Sequence, residues 1–311
     1  GPALSRDRPS VSMGDNDCRP PPTLPEHSTA ACLAMIGALV RRWRERTAAR
    51  ALARYPAEAW DQAWDQLPLL AGLGADEAQG LRALAALFLR SKTIEAVQGV
   101  HLEPSDQITI ALQACLPVLN LGLSWYQGWY AVIVYPEEFV PEREHVDADG
   151  VVWVESEVKS GEAWEQGPVI LSWADVEAGM QRDGYNVVIH ELAHKLDMRN
   201  GPANGHPPLH AGMSDATWAR DLGAAYAAFV RRVDRGRETT IDPYGAESPG
   251  EFFAVCSEAF FEIPHLLRSE FPAVYGQLAA FYRQDPATRL EPVVWDEIPQ
   301  DQDASGPTER T

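Results

Sequence analysis

Residues 187–197 read Val-Val-Ile-His-Glu-Leu-Ala-His-Lys-Leu-Asp, and the rest of the chain is best read outward from them. His190 and His194 are four residues apart, so on a helix both imidazoles leave one face, a turn apart. That separation suits two Nε2 ligands on a single tetrahedral zinc. Glu191, rotated about a third of a turn, reaches a water on such a metal without being a ligand itself. Val188, Ile189, Leu192 and Leu196 supply the apolar contacts that bury the helix. A polar trio in an apolar helix is costly unless its groups are satisfied, and a metal satisfies them. The competing reading is a pair of hydrogen-bonded core histidines. A chance His-Glu-x-x-His in a chain of this composition is expected on the order of one time in a hundred, so the zinc reading leads.

A catalytic zinc takes three protein ligands and keeps a fourth position for water. The longer spacing HExxHxxGxxH would bring a third histidine, but its last two places hold Asp197 and Asn200. The remaining candidates are Asp197, His206, His210, Glu247, Glu251, Glu258 and Glu262. His206 and His210 fall in the Pro/Gly loop NGHPPLHAG, where histidines are more often solvated, and Asp197 suits the helix end. Glu251 and Glu258 lie two turns apart on one side of the Phe-rich run PGEFFAVCSEAFFE, and inward-facing acids there need partners. Ser248-Pro249-Gly250-Glu251 is also a capping box, with Pro at the first helical position and Glu at the third. From the residues alone, cap and ligand are equally open for Glu251.

Around this centre the pattern is α+β. WYAVIVY (129–135), VVWV (151–154) and PVILSW (168–173) have strand composition. By analogy with other zinc peptidases, PVILSW is placed as an edge strand for an extended peptide. Helices are expected over Tyr185–Met198, Thr217–Arg232 and Pro249–Glu262. Upstream, 38–55, 57–64 and 76–92 carry helical spacing, with Leu81, Leu84, Ala85 and Phe88 on one face and Asp76 as an N-cap. The expected organisation is a disordered extension over 1–29, a helical N-terminal section over 30–100, a metallopeptidase domain over 101–298 and a loose tail over 299–311. The opening Gly-Pro has the look of a tag-protease remnant.

The 311 residues carry a formal net charge of -19, which disfavours direct nucleic-acid binding. Ala30–Val40 is the most apolar stretch and is about half of a membrane span, so no membrane partner is expected. Four scattered cysteines without a CxxC pair point to a reducing, cytoplasmic setting.

Longer motifs carry a resemblance. IHELAHKLDMRNG (189–201), IDPYGAESPGEFFAVCSEAFFE (241–262) and FYRQDPATRL (281–290) are similar to the Mlc titration factor A family of bacterial metallopeptidases. So are ALQACLPVLNLGLSWYQGWYAVIVYPEEFV (111–140) and SGEAWEQGPVILSW (160–173). The similarity spans about residues 60–292, with residues 1 to about 59 outside it. The resemblance implies a zincin-like core with a gluzincin-type site holding one zinc. There a Glu on a later helix is the third ligand and a Tyr seven residues before it faces the metal, positions held here by Glu251 and Tyr244. Glu258 then orients a ligand histidine. The resemblance further implies aminopeptidase-like hydrolysis of peptides and binding to an Mlc-like glucose-responsive repressor. A protein-binding regulator with a slow or vestigial zinc site is the reading from a different class.

Overall fold

The structure, a computed structural model, describes Arg42, residues 46–136 and 167–293, and the backbone of 142–146, 152–156 and 161–163. Thr93–Ala96 (β1) and Ala131–Tyr135 (β2) pair in parallel. Glu142–Val146 (β3) and Val152–Ser156 (β4) form a separate antiparallel pair. Gly161–Ala163 (β5) and Val169–Ser172 (β6) complete the main sheet in the order β1-β2-β6-β5, with β6 parallel to β2 and β5 antiparallel to β6. All four residues of β6 are buried, as expected of a strand covered on both faces.

That order corrects the placement of PVILSW at the edge. β6 is flanked by β2 on one side and β5 on the other, and β5 is the terminal strand among the described residues. Three residues of Gly-Glu-Ala have neither β-branched composition nor alternation, so nothing local marks β5 as a strand.

Beyond the helical residues 46–52, the helices among the described residues are Ala57–Asp65 (α1), Ala75–Ser91 (α2), Pro104–Cys115 (α3), Trp173–Ala178 (α4), Val187–Asp197 (α5), Asp215–Val233 (α6), Pro249–Glu262 (α7), Pro264–Glu270 (α8) and Pro272–Tyr282 (α9). Proline opens α3, α7, α8 and α9, where its missing N–H is no loss. In α2, Leu81, Ala85 and Phe88 are buried and Leu84 packs against the core. Its cap is Gly74, not Asp76; the Gly74 N–H donates to the Glu77 carboxylate at 3.0 Å. Asp76 sits inside the first turn, where its charge favours the helix dipole. β1 is the first strand of the main sheet, α2 leads into it, and α3 connects it to β2.

Every residue of α5 except His190 is buried, and every residue of α7 except Pro249 and Glu251. Helices apolar all round belong in a core, and these two pack against each other there. The one break in the burial of α5 and the break in the first turn of α7 meet at the site described below.

The described residues from Arg46 onward form one compact unit. The extensions expected at 1–29 and 299–311, and the start of the helix expected over 38–55, lie outside the described residues apart from Arg42. Among the described residues, no helix is long and apolar enough to cross a membrane.

Candidate metal centre

Asn186 caps α5, its side chain accepting the Ile189 N–H at 3.0 Å. The helix then carries His190 and His194 onto one face, with Nε2 atoms 3.2 Å apart. Ser248 caps α7 by accepting the Glu251 N–H at 3.1 Å. Glu251 therefore spends its backbone on the cap and sends its carboxylate to the histidines, Oε2 lying 3.0 Å from His190 Nε2 and 3.1 Å from His194 Nε2. Donors on a four-coordinate metal with bonds of ~2.0–2.1 Å stand ~3.3 Å apart. The triangle observed matches that spacing, and His190, His194 and Glu251 form a group able to hold a metal ion.

The chemistry of the three atoms supports the fit. His190 Nδ1 lies 2.7 Å from Glu258 Oε1. A carboxylate only accepts, so that nitrogen carries the proton and Nε2 presents a lone pair. Two imidazole nitrogens and a carboxylate oxygen then point into one small volume, which a positive charge must fill. Burial opposes charge on His190, yet Glu258, Glu251 and Glu191 together raise its pKa well above the ordinary imidazole value. Burial also pushes Glu251 upward, but its hydrogen bonds with the two histidines outweigh it and hold the carboxyl well below the usual range. A proton can satisfy the triangle, and a metal ion replaces it.

Glu191 is 2% exposed and Tyr244 39% exposed, and the Tyr244 ring centroid lies 6.0 Å from that of His190. Tyr244 is held at its backbone, its N–H donating to Asp242 at 2.8 Å. Lys195, next to His194, donates to the Gly167 carbonyl at 2.9 Å. Burial pushes its ammonium down to about 8 against the attraction of Glu191. Glu258 is buried and receives the Asn186 N–H on its second oxygen at 2.6 Å.

The other candidates from the sequence have different partners. His206 pairs with Asp215 at 3.0 Å, and His210 donates to the Phe281 carbonyl at 2.8 Å, its ring against those of Trp125 and Phe281. Glu247 is exposed, and Glu262 accepts from the Asn186 amide at 3.0 Å. Asp197 takes three backbone N–H groups, from Asn204 at 2.7 Å, Gly205 at 2.6 Å and His206 at 2.9 Å. It ties the end of α5 to a loop that runs over the start of α7. Gly205 makes that crossing possible: its φ is +75° and a Cβ there would stand 2.4 Å from the Pro249 carbonyl oxygen. Gly205→Ala is therefore expected to lower unfolding stability by about 2–3 kcal/mol, read as a shifted denaturant midpoint at constant slope.

The helix expected over Tyr185–Met198 begins at Val187, with Asn186 as its N-cap. An Asn directly before the first apolar residue of the run is an N-cap signal, and it marks the true start.

A model of the glucose-regulated metallo-peptidase M90 family matches residues 40–283. The chain belongs to that family. The match begins earlier than the expected boundary near residue 60, so the family sequence reaches into the stretch thought to lie outside it. Among relatives of this M90 chain, Mlc titration factor A of Salmonella arizonae is 43% identical over 235 residues, covering 74% of this chain and 94% of the relative. Mlc titration factor A of Klebsiella pneumoniae strain 342 is 43% identical over 233 residues, covering 74% and 88%. The M90 assignment and the mixed helical and sheet architecture agree on a zincin-like α+β metallopeptidase fold.

Proposed function

We propose that this M90 chain is a zinc-dependent, aminopeptidase-like peptidase, with His190, His194 and Glu251 as the metal ligands, Glu191 as general base and Tyr244 as oxyanion donor. The observation that carries the reading is the triangle of His190 Nε2, His194 Nε2 and Glu251 Oε2, with edges of 3.0, 3.1 and 3.2 Å. Zinc bound there supplies Lewis acidity and lowers the pKa of its water from ~15.7 toward ~7. Glu191, one residue from a ligand and rotated off the ligand face, takes the proton of the attacking water and delivers it to the leaving amine. Tyr244 donates to the oxygen that becomes negative as the carbonyl is attacked, a contribution of the order of 10²-fold for one donor. Glu258 holds the His190 ring so that Nε2 faces the metal. The outer edge of β5, beside α5, offers backbone groups to an extended peptide.

The relatives' name supports a second role, direct binding of an Mlc-like repressor, and the scattered cysteines support a cytoplasmic setting for it. If that were the whole function, with a slow or vestigial site, repressor binding would survive loss of Glu191 and no peptide would be cleaved.

The test is metal content with peptide cleavage. The purified protein should hold close to one zinc per chain by elemental analysis, and His190→Ala or His194→Ala should empty the site. Stoichiometric zinc persisting in the double variant would remove the assignment.

A further inference from the structure

Asn186 stands where four segments meet, and it is completely buried. Its Oδ1 accepts the Ile189 N–H and caps α5. Its amide nitrogen lies 2.6 Å from Gln113 Oε1 on α3, 3.0 Å from the Gly179 carbonyl and 3.0 Å from Glu262 Oε1 on α7. Its backbone N–H donates to Glu258 Oε2 at 2.6 Å, and the other oxygen of that carboxylate receives His190 Nδ1 at 2.7 Å. The chain passes close on the remaining side, where a Cβ on Gly179 would stand 3.2 Å from the Asn186 Cα.

A helix cap requires only the side-chain oxygen, and Ser or Asp serves as well. The amide donors do something else. They lash α3, the turn at Gly179 and α7 to the one residue whose N–H holds the orienting carboxylate of His190. Glu258 is thus gripped at both oxygens, and the position of one grip is set by the Asn186 side chain.

We propose that Asn186 is a positioning residue of the metal centre, acting through Glu258 on the imidazole of His190. This rests on the reading of His190, His194 and Glu251 as ligands. Shifting the Asn186 backbone by a few tenths of an ångström lets Glu258 turn, and His190 Nε2 then leaves the corner of the triangle.

Asn186→Ser retains a capping oxygen and removes the amide donors. Zinc affinity, measured by competition with a chromogenic chelator, should fall ~10–100-fold. In the metal-free protein the imidazole Nδ1 proton of His190, followed by NMR, should shift or broaden. Tyr275→Phe, which deletes a hydroxyl bonded to Asp285 and to the Ala287 N–H, neither of them on α5 or α7, is the matched control: it should cost stability and move neither readout. In a Glu258→Gln background Asn186→Ser should weaken zinc little further, because the route runs through that carboxylate. Gln113→Met removes an acceptor of the amide and leaves the cap in place. It should lower affinity in the same direction, and it serves if the serine variant does not fold. Wild-type affinity with an unmoved His190 proton would reduce Asn186 to a helix cap and overturn the proposal, as would a fully additive loss in the Glu258→Gln background. A wild-type chain that takes up no zinc overturns the metal reading instead, and the metal-free proton signal then decides the role of Asn186 separately.

Discussion

Glu191→Gln is expected to keep its zinc and lose peptide hydrolysis by ~10²–10⁴-fold, the range of a general acid–base contribution. Gln has the same shape and leaves His190, His194 and Glu251 in place, so metal content and chelator competition should match wild type. The amide cannot accept a proton from the attacking water, so the loss should fall on kcat and on kcat/KM alike. Glu191 is nearly inaccessible at 2% exposure, and the substitution removes a buried negative charge beside Lys195. Unchanged turnover would mean that Glu191 is not the general base. Binding of a repressor partner by this variant, measured in parallel, separates the catalytic role from the regulatory one.

Glu251→Gln should lose zinc affinity by orders of magnitude, with activity partly recovered in excess zinc. Its carboxylate is the only anionic donor of the triangle, and a neutral amide oxygen is a far poorer ligand for a dication. The α7 cap should hardly notice, because Ser248 Oγ bonds the Glu251 backbone N–H, which the substitution leaves intact. The metal-free protein should nonetheless lose some stability, because the carboxylate's hydrogen bonds with the two histidines are weakened. Glu258→Gln is the matched comparison. As a neighbour of His190 and not a member of the triangle, it should weaken zinc by only ~10–100-fold. Chelator competition on both variants decides: metal lost from Glu258→Gln and kept by Glu251→Gln would exchange the two roles.

What could be read without tertiary structure was what depends on near neighbours in the chain. His190, Glu191 and His194 share one helix, and the 3.6-residue repeat alone places their side chains relative to one another. The apolar residues between them show that the helix is buried. Pro249 and Ser248 mark the start of α7 in the same way, because a helix end is a local hydrogen-bonding problem. The apolar runs of β2 and β6 were legible as strands for their composition, and the longer motifs pointed to the family.

What remained open involved residues far apart in sequence. Glu251 stands 61 residues from His190, and its local sequence satisfies a capping box as well as a ligand. Only the packing of α7 on α5 resolves this: the cap uses the backbone N–H and leaves the carboxylate free to face the histidines. The same holds for Glu258, which meets His190 and Asn186 across 68 and 72 residues. Strand order was hidden for a related reason. β5 is three residues without a side-chain pattern, and it becomes a strand only because the unpaired edge of β6 offers it backbone hydrogen bonds. Local spacing determined the placement of His190, Glu191 and His194 on α5, whereas the third corner of the triangle depended on the burial of α7 against α5 and against the rings of α6 and α9 that meet Phe252, Phe253, Phe260 and Phe261, a free-energy gain that no single motif encodes.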